Sequence, residues 1–310
     1  MATAVLDNRI YSDYKTLLRL KSEAFGFSLS GRHRVDSVLA GRHQSRFRGR
    51  GLNFEELRHY QIGDDMRSFD WPVTLRTGKP HVRSYSEEKD NQVILVVDQR
   101  PPMFFSSVDT MKSVVAAEVA SMMAWQVLAD GDRVGAIVFN HQTTQWFRPQ
   151  RSQHQVLRVL AEIARQNNLL SSDQQISADD NSLTQVLKKL YRQRLNAATI
   201  IFVGDWHQCD QTSLTLLKKL QQHNNILTTV ISDPMEYQLP DAPNLVVSDG
   251  VLQLQIDQLN NNLGQRYSDD YQQQLRRLAD VFKRQNIPLI HLDTGGDHRQ
   301  QLRQYLGGRG

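Results

Sequence analysis

The sequence has one cysteine, Cys209, among 310 residues. No intrachain disulfide is open to it, and a four-cysteine metal site is excluded. It also lacks a long uninterrupted apolar run. The longest apolar segment, Met111 to Leu128, contains Lys112, Glu118 and Gln126, which suits a buried helix better than a membrane span. The opening MATAVLDNRIYSDYKTLLRLK has no apolar stretch of the kind that marks a secretory signal. A cytoplasmic protein without a membrane span is expected. There is no Gly-x-x-x-x-Gly-Lys-Ser/Thr loop to cradle phosphates. His207 lies near Cys209, but no second His/Cys pair completes a zinc set. No cofactor and no metal are expected.

Apolar residues make up 39% of the chain and charged residues 23%, a globular balance at a length that buries a sizeable core. The net charge of +4 is unevenly placed. Residues 1–91 carry 16 Lys/Arg against 12 Asp/Glu, and the remainder carries 21 against 21. Arg32, Arg34, Arg42, Arg46, Arg48 and Arg50 cluster with Asp36 as the one acid among them. Such a run suits nucleic acid, another polyanion or an acidic partner. Charge balance favours a solvated or internally paired face, because Glu55, Glu56, Asp64 and Asp65 follow soon after.

Tyr14, Leu17, Leu18 and Phe25 have helical spacing, so residues 1–25 are read as an N-terminal segment with a helix over 10–25. Residues 26–90 are rich in Gly and Arg with short alternating pieces, in keeping with a small β-rich module of strands and turns. From Gln92 onward the rhythm changes. VILVVD (93–98) and ATIIFVGD (198–205) are apolar runs of strands covered on both faces, each ending in aspartate. Further strands are expected at 131–140, 225–233 and 287–293, with a strand at 143–149 pairing as a hairpin. Helices are expected at 107–129, 151–166, 182–195, 211–223, 268–285 and 297–306. Residues 244–256 surround Ser-Asp-Gly, a hairpin signal. Strands alternating with helices over 91–310 imply an α/β fold with a doubly wound, mostly parallel sheet. Ligands of such sheets sit beyond the carboxyl ends of the strands, where Asp98 and Asp205 would lie.

The most specific segment runs from Gly49 to Asp98, with the pattern Gly-x-Gly-x-x-Phe-x-x-Leu-Arg-x-Tyr-x-x-Gly-Asp-Asp-x-Arg-x-x-Asp-Trp at its start. It resembles the bacterial domain-of-unknown-function family 58 (DUF58), whose members join such a segment to a von Willebrand factor A-like domain. The likeness continues through Lys112, AAEVASMMAWQVLADGDRVGAIVF, IIFVGD and SDPMEYQLP to the last helix, roughly residues 30 to 306. Read from the residues alone, Arg58, Asp64, Asp65, Arg67 and Asp70 form a salt-bridge and turn network with Trp71 as a packing anchor. No nucleophile or His–carboxylate framework accompanies them, so the network is read as structural.

The resemblance also implies a place for a cation. The A-like domain's first loop is Asp-x-Ser-x-Ser, in which hydroxyls and a carboxylate surround a divalent ion. The matching positions here are Asp98, Arg100 and Pro102, so both hydroxyls are gone. Arg100 puts a permanent cation into the loop, with Asp98 or Asp205 as its simplest partner. Asn181 and Ser182 stand nearest to the second loop's threonine, and Asp205 matches the third position. The resemblance implies a non-enzymatic binding module that works with a MoxR-type AAA+ ATPase in assembling or maturing other complexes. Its binding edge is expected at Asp98–Met103, Asn181–Ser182 and Asp205–His207.

Overall fold

Asp13 caps the first helix, α1 (Tyr14–Arg19), by accepting the Thr16 N–H. The computed structural model describes residues 7–24, 52–61, 64, 69–87, 91–174, 180–206, 209–237, 245–248, 253–256 and 262–307. The arginines at 32, 34, 42, 46, 48 and 50 lie outside the described residues, as do Asp65, Arg67 and His207. Helix α1 is shorter than the expected 10–25, and it starts late because the chain before Asp13 is tied elsewhere. The Ser12 N–H donates to the Asn167 side chain at 2.7 Å. Leu17 and Leu20 are buried in the core of the larger unit.

The chain divides into two compact units, Gly41–Asp90 and the combination of Met1–Ala40 with Asn91–Gly310. In the smaller unit β1 (Leu52–His59) pairs antiparallel with β2 (His81–Glu87), with a bulge between Phe54 and Glu56. Between them in sequence lies α2 (Trp71–Thr77), a helix that the reading of strands and turns misses. Its signals are present: Asp70 accepts the Val73 N–H at 3.1 Å, Pro72 sits in the first turn, and Gly78 closes the helix at φ +67°. Val73, Thr74 and Thr77 obscure them, since β-branched residues favour strands. Asp64 accepts the Gln61 N–H at 2.8 Å. Trp71 differs from the expected anchor. It is 57% exposed in a two-turn helix, with its ring centroid 5.2 Å from that of Phe69.

The larger unit carries β3 (Gln92–Asp98), α3 (Lys112–Ala129), β4 (Arg133–Phe139), β5 (Thr144–Gln150), α4 (Gln153–Asn167) and α5 (Ser182–Arg192). Then come β6 (Ala198–Gly204), α6 (Gln211–Gln221), β7 (Asn225–Ser232) and the short turn of helix α7 (Pro234–Tyr237). The antiparallel pair β8 (Leu245–Ser248) and β9 (Gln253–Ile256) precedes α8 (Asn262–Arg284), β10 (Leu289–Asp293) and α9 (His298–Tyr305). Helix α3 begins at Lys112, later than the expected 107. Pro101 and Pro102 instead start a 3-10 turn, and a loop reaches from there to Met111.

Six strands form one sheet in the order β10-β7-β6-β3-β4-β5, all parallel except the edge strand β5. The fold is mixed α/β, a mostly parallel sheet flanked by helices. Alternation along β3 explains why the sheet is covered on both sides. Val93, Leu95 and Val97 join a core with α3 and α4, while Ile94 and Val96 join a second core with α5, α6 and α8. From β3 the chain passes outward to β4 and β5, then crosses back to β6 and moves outward the other way to β7 and β10. Loops leaving β3 and β6 therefore part at the carboxyl edge, and a site between them is the expected consequence.

Candidate functional site at the carboxyl edge of the sheet

Asp98 is the last residue of β3 and Asp205 the first after β6. Gly204 lets them approach: a Cβ there would lie 2.8 Å from the Asp98 Cβ, closer than side chains tolerate. Trp206 then turns the chain away at φ +59°, a left-handed conformation unusual for a bulky residue. Its indole N–H donates to the Thr229 carbonyl at 3.1 Å, and its ring packs against Phe202 and Phe282. Packing thus fixes the turn that presents Asp205.

Arg100 fills the space between these aspartates and is fully buried. Its Nε donates to both Asp98 oxygens at 3.0 Å, and Nη2 donates to Oδ2 at 2.6 Å. The Arg100 N–H adds a bond to Asp98 Oδ1 at 2.9 Å. The same guanidinium lies 3.5 Å from Asp180 and 3.7 Å from Asp205, with its Cζ 5.6 Å from the centroid of the Phe139 ring. Lys112, at the start of α3, extends the cluster. Its ammonium is 3.1 Å from Asp205 Oδ2 and 2.5 Å from Glu236 Oε1. Glu236 also accepts the Tyr271 hydroxyl at 3.0 Å and the Asp233 N–H at 2.9 Å.

Such charges persist without water only because they meet each other. Burial opposes charge on Lys112, yet Asp205 and Glu236 outweigh it and hold the ammonium above its ordinary value. For Arg100 burial likewise works against Asp98, Asp205 and Asp180, which keep the guanidinium firmly protonated. Burial pushes the Asp98 carboxyl up, against the pull of Arg100.

The expected residues are not all joined in the expected way. Asp98, Arg100 and Asp205 come together, but as a buried cluster and not as an exposed edge. Asn181 caps α5 by its backbone position, is exposed, and accepts from Gln185. Ser182 reaches the cluster through Asp180, which takes both its N–H and its hydroxyl. Pro102 is half-buried in the 3-10 turn. Arg58 lies in β1 and Asp70 caps α2, within the other unit. Asp180, Lys112 and Glu236 are members that the sequence reading does not single out. For Lys112 a signal existed, a cation at the start of a helix that is mostly apolar.

A divalent cation does not fit here. The acids that would hold it, Asp98 and Asp205, are taken by Arg100 and Lys112. Among the described residues, no group of three or more His, Cys, Asp or Glu is arranged to hold a metal ion. Cys209 is no ready nucleophile either, since burial and the charge of Asp210 push its thiol up to about 12. No described helix is long and apolar enough to cross a membrane.

Comparison with known proteins agrees with the sequence pattern. The chain is 29% identical over 227 residues to the uncharacterized proteins Mb1516 of Mycobacterium bovis and Rv1480 of Mycobacterium tuberculosis. Each match covers 71% of this chain and 68% of the relative. Residues 56–277 match the family model described as protein of unknown function DUF58. That match spans well over half of the sequence, and the chain belongs to the DUF58 family.

Proposed function

We propose that the chain is a non-enzymatic protein-interaction module, the partner or adaptor of a MoxR-type AAA+ ATPase in the assembly or maturation of other complexes. Its larger unit is read as a doubly wound, von Willebrand factor A-like domain. The reversal of winding between β3 and β6 supports that reading. The observation that carries the proposal is the Arg100–Asp98 pair, with Lys112 on Asp205 beside it. In this reading side-chain cations hold the carboxyl edge in one shape, a task that a bound ion performs in the A-like domains this sequence resembles. The cluster offers acids that are already paired and no activated nucleophile, which favours binding over catalysis.

The contact surface would then be the rim over this cluster. Phe105 is 36% exposed and Val108 59% exposed on the loop between β3 and α3, and apolar side chains offered to solvent at a loop edge suit a protein partner. Asn181 belongs to the same reading as an exposed polar rim residue. The test is co-purification with the MoxR-type ATPase of the same organism. The wild-type chain is expected to retain the ATPase, and a Phe105→Glu/Val108→Glu variant with an unchanged melting temperature is expected to lose it. No retention by the wild type, or full retention by that variant, would contradict the proposal.

A further inference from the structure

Beside the ion cluster, Trp206, Leu214, Leu275 and Leu278 wall a cavity of about 450 Å³ between the β6 loop, α6 and α8, a size usual for ligand sites. The three leucines are only half-buried, although they pack against the second core, so the groove presents apolar surface. Its polar end is formed by Asp205, Glu236 and Tyr271.

That end is electronegative. Glu236 accepts from Lys112, Tyr271 and the Asp233 N–H, three bonds against the roughly four that a carboxylate accepts. Among the described residues Oε1 holds Lys112 alone, which leaves one acceptor position on a carboxylate that lines the groove. Tyr271, whose hydroxyl donates to Glu236, keeps its oxygen lone pairs as acceptors. Groups on the walls hold their protons in keeping with this: burial, then the charge of Glu236, raises the Tyr271 phenol above its ordinary value.

We propose that this groove takes a single arginine or lysine side chain of a partner protein, its methylene stem against Leu214, Leu275 and Leu278 and its charged head at Glu236 and Tyr271. Long basic side chains have the same division into apolar stem and cationic tip. An acidic side chain would meet the charge of Glu236. Arg277 also lines the cavity and opposes each cation that enters, so a lone basic residue among apolar neighbours fits better than a basic run. The inference rests on reading the chain as an interaction module and adds the chemistry of what it holds.

The test is an NMR titration of the full chain with acetyl-Leu-Arg-Leu-amide and with acetyl-Leu-Glu-Leu-amide. The arginine peptide is expected to bind saturably, shifting resonances of Trp206 and α8, with the glutamate peptide at least tenfold weaker. Leu275→Lys is expected to abolish binding, and Arg277→Gln to tighten it. Leu278→Lys serves in place of Leu275→Lys if melting shows that variant unfolded. Equal affinity for the two peptides, or wild-type binding by the lysine variant, would overturn the assignment. If the arginine peptide fails to bind while the ATPase is still captured through Phe105 and Val108, the groove assignment falls and the module reading stands.

Discussion

Arg100 and Asp98 are two residues apart in sequence and form a buried ion pair, Nη2 to Oδ2 at 2.6 Å, with side chains 0% and 5% exposed. Removing one partner of such a pair leaves a charge with neither water nor counter-charge. Arg100→Ser is therefore expected to lose about 3–5 kcal/mol of stability in chemical denaturation at neutral pH. The loss should shrink in acid, where Asp98 takes a proton and no longer needs a cation. An unchanged denaturation midpoint would remove the ion pair from the account.

Lys112 couples two distant parts of the chain through Asp205 and Glu236. A double-mutant cycle of Lys112→Met and Glu236→Gln is expected to show non-additivity of about 1–3 kcal/mol, because the residues touch. Strict additivity would mean that the contact contributes nothing.

Acid sensitivity follows from carboxylates held below their ordinary values. For Glu118 burial works upward, but His298 and Arg299 outweigh it; for Asp233 Ser107 and Thr294 do the same. Both contribute stability that is present above the unfolded values near pH 4 and is lost as pH falls through the lower folded values. His291 acts at higher pH, since burial lowers its affinity for a proton in the folded state. Its contribution is complete above the unfolded value near 6.5 and declines as pH falls below it. Denaturation midpoints measured from pH 8 to 3 are expected to fall in these two windows. His291→Gln should flatten the upper one and Asp233→Asn the lower.

In the smaller unit Asp70 is the helix cap and Trp71 is largely exposed. Asp70→Ala is expected to cost about 1 kcal/mol or more, the usual effect of losing an N-cap. Trp71→Ala, with less surface to uncover, should cost no more than Asp70→Ala in the same denaturation series. A larger loss for Trp71→Ala would restore its role as an anchor.

The buried strands were legible because their apolar runs are continuous. Ile94 to Val97 and Ile200 to Val203 face helices on both sides, and that two-sided burial is written into the residues themselves. Asp98 and Asp205 were legible for the same reason, as the polar residues that end those runs. The cluster they join was not. Lys112 meets Asp205 across 93 positions and Glu236 across 124, separations that no local pattern encodes. Arg100 invited a partner at once, being charged in an apolar setting. Which acids answered depended on the return of β6 beside β3.

In the proposed interaction module side-chain cations, and not a bound metal, hold the carboxyl edge in the shape that a partner would meet. The most direct measurement is the amount of MoxR-type ATPase retained by the immobilised chain in excess EDTA and in millimolar magnesium. Equal retention in the two conditions is the expected result. Release of the ATPase by EDTA, restored when magnesium is added back, would contradict the account.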